Sequence, residues 1–220
     1  MEIIRFADIR PEPWRNGGGV TRELASHPKA ASAQDNAWDW RVSIADVSKA
    51  GEFSTFPGME RVITIIDGEL LLLTVDGSEH PLEKYRPFRF SGEAASSATL
   101  PTGDIRDLNV IAREGAFKGY TSIVEISKKR PHPVFEGQLA ILLEGKATVA
   151  PGAPVDESGV EEEPAVEEES DGGGPALSAG EPVELSRYDA VVGSDTRSPE
   201  ISGRGFVAVI SIDHLEPSHA

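Results

Sequence analysis

The chain has 220 residues, of which 39% are hydrophobic, and it contains 22 glycines, 16 prolines and no cysteine. This length supports one or two domains with a real hydrophobic core. The lack of cysteine excludes disulfides, a thiol nucleophile and a cysteine-ligated metal. The N-terminus does not read as a signal peptide, and no apolar run approaches the roughly 20 residues that cross a bilayer. We therefore expect a cytoplasmic protein that makes no membrane contact.

The net charge of −16 is concentrated in one part of the chain. Residues 147–186 contain eleven acidic residues and neither lysine nor arginine, so the rest of the chain carries only about −5, an ordinary value for a soluble domain. Because there is no basic stripe, we do not expect nucleic acid as a partner. Residues 150–182 are acidic and rich in glycine and proline, which predicts a mobile loop. A docking surface for a regulatory protein is the alternative.

The rest of the sequence predicts an all-β fold. Residues 38–45 alternate apolar and polar side chains, the period of a half-buried strand. Two hairpins are predicted, one with its turn at Asp67-Gly68 and one with its turn at Glu144-Gly145. A further tight turn is predicted at Asp76-Gly77. Helix is expected only in short pieces, such as one turn within residues 9–15.

Two copies of a strand-turn-strand unit in an all-β chain suggest two packed β-barrels or jelly rolls. We place the first at residues 1–125 and the second at residues 126–220, the latter carrying the acidic insertion. Exchange of N-terminal strands between the two barrels is left open.

The first group of candidate site residues surrounds three consecutive glycines: Asn16, Gly17, Gly18, Gly19, Thr21 and Glu23. Consecutive glycines are costly in backbone entropy, so the chain must need them. Either the backbone requires a positive φ, or a ligand or neighbouring strand approaches it closely. Successive N–H groups in such a turn also offer an anion-binding nest.

The second group lies on predicted strands. Arg41 and Ser43 share one strand face, as do Asp107 and Asn109, because side chains alternate along a strand. These faces are either solvated or turned into the mouth of a barrel, where an arginine offers a bidentate fork to a carboxylate. Arg61 opens a hydrophobic strand and is predicted at the rim of the barrel.

Histidine gives no sign of a metal site. No two of the five histidines have the spacing His-x-His or His-x-x-x-His, and a metal site needs several convergent ligands. We therefore predict that the protein uses no metal and no cofactor.

Four blocks in this order, residues 14–23, 40–45, 53–61 and 107–110, resemble the HutD/Ves family, closely over the first 125 residues. The resemblance implies a bicupin-like fold and an association with histidine degradation. Cupin enzymes usually take metal ligands from a His-x-His strand, which is absent here.

The leading hypothesis is a metal-free protein that binds a small anionic metabolite, such as urocanate, formiminoglutamate or formylglutamate, and so regulates or buffers histidine degradation. Arg41 and Arg61 would hold carboxylates, with Trp14 and Trp40 as walls. Orientation would be fixed by Asn16, Thr21, Ser43 and Asn109. The main alternative is a metal-independent isomerase or hydrolase with Glu23 or Asp107 as general base. A third class acts by binding a regulator, and a homodimer is compatible with all three.

Overall fold

The computed structural model describes residues 1–28, 38–152 and 181–216, and regular structure in these ranges is almost entirely β-strand. The one helical element there is a single 3-10 turn, Phe6–Asp8. The turn expected within residues 9–15 is therefore misplaced, because Pro11 and Pro13 hold the preceding residues extended and Glu12–Pro13 forms a short strand. No described helix is long and apolar enough to cross a membrane. The acidic insertion falls almost wholly outside the described residues.

Seventeen strands follow one another along the described chain. They are β1 (Glu2–Ile4), β2 (Glu12–Pro13), β3 (Gly19–His27), β4 (Trp40–Val47), β5 (Gly51–Glu52), β6 (Met59–Asp67), β7 (Leu70–Val75), β8 (Ser78–Glu83), β9 (Phe88–Ser91), β10 (Ser96–Thr99), β11 (Ile105–Arg113), β12 (Phe117–Ile126), β13 (His132–Pro133), β14 (Gln138–Ala150), β15 (Val183–Leu185), β16 (Ala190–Val192) and β17 (Glu200–His214).

The strands form three sheets. A six-stranded sheet has the order β2-β3-β4-β11-β6-β9, and a four-stranded sheet has the order β5-β10-β7-β8. A seven-stranded sheet has the order β1-β16-β14-β17-β12, with β13 attached to β17 and β15 to β14. The predicted all-β, jelly-roll architecture is confirmed, although the sheets are not closed barrels.

The six-stranded sheet is buried on both faces. Its inward side chains, among them Ala45, Ile63 and Ile65, pack against the four-stranded sheet in one hydrophobic core. Its opposite face packs against the seven-stranded sheet in a second core, to which it contributes Val42, Ile44, Val62, Ile66, Leu108 and Val110. Burial of each such side chain contributes about 1.5–3 kcal/mol, so these strands are held firmly from both sides. A third core lies within the C-terminal part.

The structure confirms only one of the two turns predicted at Asp-Gly pairs. At Asp76-Gly77, the predicted tight turn joins β7 to β8, and both residues have positive φ, 46° and 81°, as a type I′ turn requires. The hairpin predicted at Asp67-Gly68 is wrong, because β6 lies in the six-stranded sheet and β7 in the four-stranded sheet. Only Gly68 of that pair has a positive φ, so the chain crosses between sheets instead of folding back.

The hairpin predicted at Glu144-Gly145 is also wrong. The residues on both sides belong to one continuous strand of 13 residues, β14, whose pairing with β17 is interrupted by a bulge between Leu142 and Glu144. Gly145 lies against Gly205 of β17, where a Cβ would come within 1.9 Å of the Glu144 carbonyl oxygen. The glycine thus permits a close approach of two long strands rather than a turn.

Two strands from the first 126 residues belong to the seven-stranded sheet. β1 pairs with β16, and β12 pairs with β17 over ten residues. The division of the chain at residue 125 stays a prediction.

We predict that Gly205→Ala destabilises the protein far more than Gly115→Ala. Both glycines have positive φ, 138° and 77°, but a Cβ at Gly115 meets nothing within 4 Å. Gly115→Ala should therefore cost only the left-handed backbone strain, about 1–2 kcal/mol. Gly205→Ala should cost at least about 3 kcal/mol, because overpacking against the Glu144 carbonyl adds to the strain. Urea unfolding followed by circular dichroism measures both, and equal losses would contradict the close packing of β14 on β17.

Candidate functional site

A cavity of about 550 Å³ opens on the face of the six-stranded sheet that is turned toward the four-stranded sheet. Side chains of β2, β3, β4, β5, β6 and β11 line it, together with residues 14–16 and 53–56. It is lined by seven of the eleven residues predicted as ligand-binding: Asn16, Thr21, Arg41, Ser43, Arg61, Asp107 and Asn109.

Strand register explains why the polar residues of β4, β6 and β11 meet. On the central strand β11, Asp107, Asn109 and Ile111 point to one face because side chains alternate. Ile111 pairs with Arg41 on one side and Arg61 on the other. The next pairs along β11 place Ser43 and Ile63 beside Asn109, and then Ala45 and Ile65 beside Asp107.

The other four predicted residues lie outside the cavity lining. Gly17 and Gly19 line a separate depression of about 330 Å³, and Gly18 lines neither space. The Glu23 carboxylate accepts a hydrogen bond from the Ser26 hydroxyl at 2.8 Å and does not line the cavity.

Both backbone reasons proposed for the three glycines occur. Gly17 has a φ of 65°, and a Cβ at Gly19 would lie 2.4 Å from the Asp46 carbonyl oxygen of β4. The N–H groups of Gly17 and Gly18 already donate to acceptors within the same turn. Gly17 therefore serves the turn and Gly19 the close approach of β3 to β4. Two of the three N–H groups of the suggested anion nest are occupied.

Arg61 is buried, with 5% of its surface exposed, so its predicted position at the rim is wrong. The strand begins two residues earlier, at Met59, which carries Arg61 into the sheet. Nη1 donates to the Ser54 carbonyl at 3.2 Å, and Nη2 donates to Oδ1 of Asn109 at 2.9 Å. The guanidinium carbon also lies 5.7, 5.3 and 4.9 Å from the ring centroids of Phe53, Phe56 and Phe90.

Asp107 lies deeper still, with 1% of its surface exposed. Its Oδ1 accepts a hydrogen bond from Nδ2 of Asn109, and its Oδ2 has no hydrogen-bond partner among the described residues. Burial raises the pKa of Asp107 to about 7, while Arg61 acts in the opposite direction and Asp46 adds to the increase. This carboxyl therefore titrates near neutral pH.

Among the described residues, the Arg41 guanidinium contacts aromatic rings and forms no ion pair. Its guanidinium carbon lies 4.8 Å from the Trp38 ring and 5.4 Å from the Phe56 ring. Within the described residues its Nε–H is buried without an acceptor. Burial lowers the pKa of Arg41, and it lowers that of Arg61 to about 10. Both groups are thus cations in a poorly solvated environment, which favours an anion close to them.

Of the two tryptophans predicted to form walls of the site, only one lines the cavity. Trp14 lines the cavity, and its Nε1 donates to the Thr21 hydroxyl at 2.8 Å. Trp40 lies on the opposite face of β4, where it packs against the core shared with the seven-stranded sheet. Sequence reasoning missed Phe53 and Phe56 as lining residues, although both fall in the third block of the family resemblance. Their loop has no strand period that would have indicated their direction.

The cavity is poorly suited to a metal ion. No three His, Cys, Asp or Glu side chains converge in the described ranges. The cavity carboxylates are Glu12, Glu52 and Asp107, and they share the space with Arg41 and Arg61. Two guanidinium groups repel a divalent cation and attract an anion. The residues present therefore fit an anionic ligand better than a metal.

These features define a cupin-like protein with jelly-roll-like sheets, in which Arg41 and Arg61 line a cavity on one face of the six-stranded sheet. The sequence matches the HutD family over residues 6–208, and the chain therefore belongs to the HutD family. The resemblance noted from the four sequence blocks is confirmed.

Two curated relatives match the chain over part of its length. Protein Ves of Citrobacter koseri is 39% identical over 127 residues, which are 56% of this chain and 64% of the relative. An uncharacterised 21.2 kDa protein in the hutC 3′ region of Pseudomonas putida is 40% identical over 112 residues, 50% of this chain and 57% of the relative. The matches thus span less than two thirds of these relatives.

Solved structures match over nearly the whole chain. HutD from Pseudomonas fluorescens SBW25 has a TM-score of 0.69 at 27% identity and covers 98% of this chain and 99% of its own. A conserved protein of Pseudomonas aeruginosa PAO1 has a TM-score of 0.71 at 24% identity, with 98% and 99% coverage. Oxalate decarboxylase of Lactobacillus farciminis has a TM-score of 0.59 at 10% identity, with 96% and 85% coverage, a likeness of fold alone.

We predict that Asp107→Asn flattens the pH dependence of stability between pH 4 and pH 7. The folded-state pKa of Asp107 is raised to about 7, so the folded state binds this proton more tightly than the unfolded state. The free energy of unfolding should therefore fall as the pH rises through this window in the wild type. The variant lacks the titrating group and should lose this part of the slope.

The matched control is Asp104→Asn, which removes an exposed carboxylate three residues away. It should keep the wild-type slope. Chemical denaturation at a series of pH values measures all three proteins. A wild-type slope in Asp107→Asn would show that the buried carboxyl does not titrate in this range.

Proposed function

We propose that this chain binds a small carboxylate metabolite, without a metal, in the cavity of its N-terminal jelly roll. The supporting observation is the pair of guanidinium groups, Arg41 and Arg61, which line one cavity and have buried Nε–H groups without an acceptor in the described residues. A buried polar group without a partner costs about 1–3 kcal/mol. A carboxylate that reaches these forks supplies the missing acceptors and neutralises charge.

Other lining groups would orient the ligand. The Thr21 hydroxyl accepts a hydrogen bond from Trp14, which leaves its own proton available. The Asn109 side-chain amide donates one hydrogen to Asp107 and has a second to offer. Ser43 adds a hydroxyl and Asn16 an amide to the lining. Aromatic walls restrict water, which strengthens each charged contact.

The family points to a metabolic setting. The chain belongs to the HutD family, and one relative is encoded in a hutC 3′ region. These names support a role in histidine utilisation, in the cytoplasm, where the protein would regulate degradation or buffer an intermediate. Urocanate, formiminoglutamate and formylglutamate all carry carboxylates and are the ligands to test first.

We predict that at least one of these three compounds raises the melting temperature of the protein. Ligand at about 100 times its dissociation constant should add roughly 2.7 kcal/mol to the free energy of unfolding. Arg61→Lys should lose most of that gain, because lysine keeps the charge but not the fork. Differential scanning fluorimetry followed by titration calorimetry measures the effect.

The control variant for this experiment is Arg113→Lys. Arg113 pairs with Asp39 at 2.6 Å and does not line the cavity, so this variant should respond to ligand as the wild type does. If neither the three compounds nor simple carboxylates stabilise the wild type, the proposed function is wrong.

One observation favours an enzyme as the second candidate. Asp107 lines the cavity and has a pKa near 7, which suits a general base at neutral pH. Glu23, the other predicted base, is outside the cavity lining. Incubation of the ligand with wild-type protein and with Asp107→Asn, followed by NMR, separates the functions. Turnover by the wild type alone would make the protein an enzyme, whereas an unchanged ligand spectrum with both supports binding.

A further inference from the structure

Arg41 and Arg61 lie on the two strands that flank β11, and both are paired with the same residue, Ile111. We propose that the ligand of this cavity is a dicarboxylate, with one carboxylate held by Arg41 and the other by Arg61. The proposal rests on the proposed function, since it specifies which kind of carboxylate the same cavity takes.

The first argument is strand geometry. Ile111 of β11 is paired with Arg41 on β4 and with Arg61 on β6, and all three side chains point to the same face. Because neighbouring strands are about 4.8 Å apart, the two arginine backbones are separated by roughly 10 Å. Both guanidinium groups then extend toward the Phe56 ring, with their central carbons 5.4 and 5.3 Å from its centroid. Two arginines that flank a central residue suit two anionic groups joined by a short linker.

The second argument is the supply of hydrogen-bond donors. Each guanidinium has five N–H donors, and a carboxylate fills one fork when it binds in bidentate fashion. Arg61 uses two donors, on Ser54 and Asn109, and keeps a buried Nε–H without an acceptor. The Arg41 side chain makes no hydrogen bond within the described residues, and its Nε–H is likewise buried. One carboxylate satisfies one of these forks and leaves the other unfilled.

The third argument is charge. Asp107 is the buried carboxyl whose charge acts on Arg61, and its burial favours the neutral acid, with a pKa of about 7. A dianion in the cavity stabilises the neutral acid of Asp107 further. The two guanidinium charges then balance the two negative charges of the ligand. Glu12, Glu52 and Arg15 also line the cavity, and water screens their charges because they are exposed. Glu12 still raises the pKa of Arg41, but burial outweighs its effect.

The experiment compares glutarate with monomethyl glutarate and with valerate, using titration calorimetry on wild-type protein at pH 6. The monomethyl ester keeps nearly the shape of glutarate and removes one charge, so any difference reports the second carboxylate. We expect glutarate to bind roughly 10- to 100-fold more tightly than either monoanion, which is the value of one charge-assisted contact.

Variants then assign the two carboxylates. Arg41→Gln and Arg61→Gln should each weaken glutarate binding roughly 10- to 100-fold and largely abolish the preference for glutarate over its ester. Arg86→Gln is the control, since Arg86 is exposed and does not line the cavity, and it should keep the wild-type preference. Circular dichroism checks that each variant is folded. If Arg61→Gln unfolds, Arg61→Lys replaces it, because the loss of the fork should reduce the preference in the same direction.

The outcomes separate the two proposals. Equal affinities of wild type for glutarate, monomethyl glutarate and valerate would overturn the dicarboxylate proposal and leave carboxylate binding intact. A preference that depends on only one of the two arginines would overturn it as well. If no carboxylate of any kind binds, the proposed function itself fails.

Discussion

The six-stranded sheet must bury both of its faces, and the rest of the structure follows from that constraint. On one face, Val42, Ile44, Leu108 and Val110 pack against the seven-stranded sheet. Side chains at the intervening positions point the other way, toward the four-stranded sheet. Ile63 and Ile65 continue the core there, whereas Arg41, Ser43, Asp107 and Asn109 line a cavity. The strands that carry the polar residues are therefore packed on their other face against the seven-stranded sheet.

Burial of Arg61 beside this core is costly, and the structure offsets the cost in part. Aromatic rings face the guanidinium, and the chain of hydrogen bonds from Arg61 to Asn109 to Asp107 satisfies some donors and acceptors. The offset is incomplete, since Nε of Arg61 and Oδ2 of Asp107 have no partner in the described residues. A ligand or an ordered water in the cavity would supply the missing partners of these two groups.

Much of the fold and part of the site could be predicted from the sequence, because the alternation of side-chain direction along a strand can be read from a few consecutive residues. The shared face of Arg41 and Ser43 follows from their spacing, as does that of Asp107 and Asn109. Their convergence does not, because it depends on β11 pairing between β4 and β6, a long-range register that no local pattern encodes. Turn residues misled for the same reason. Of the three turns predicted from an acidic residue followed by glycine, one is a true hairpin, one is a crossing between sheets and one lies within a continuous strand.

The core within the C-terminal part contains other kinds of side chain than the cavity does. In the described part of the C-terminal roll, the inner positions of β14 and β17 are apolar, including Leu142, Val149, Val207 and Val209. Such a core supplies rigidity but no group that recognises an anion. On the face of the six-stranded sheet that lines the cavity, arginine, aspartate and asparagine occupy positions that apolar core residues would otherwise fill. The seven-stranded sheet on the opposite face makes that loss tolerable, because apolar burial there holds the same strands in register.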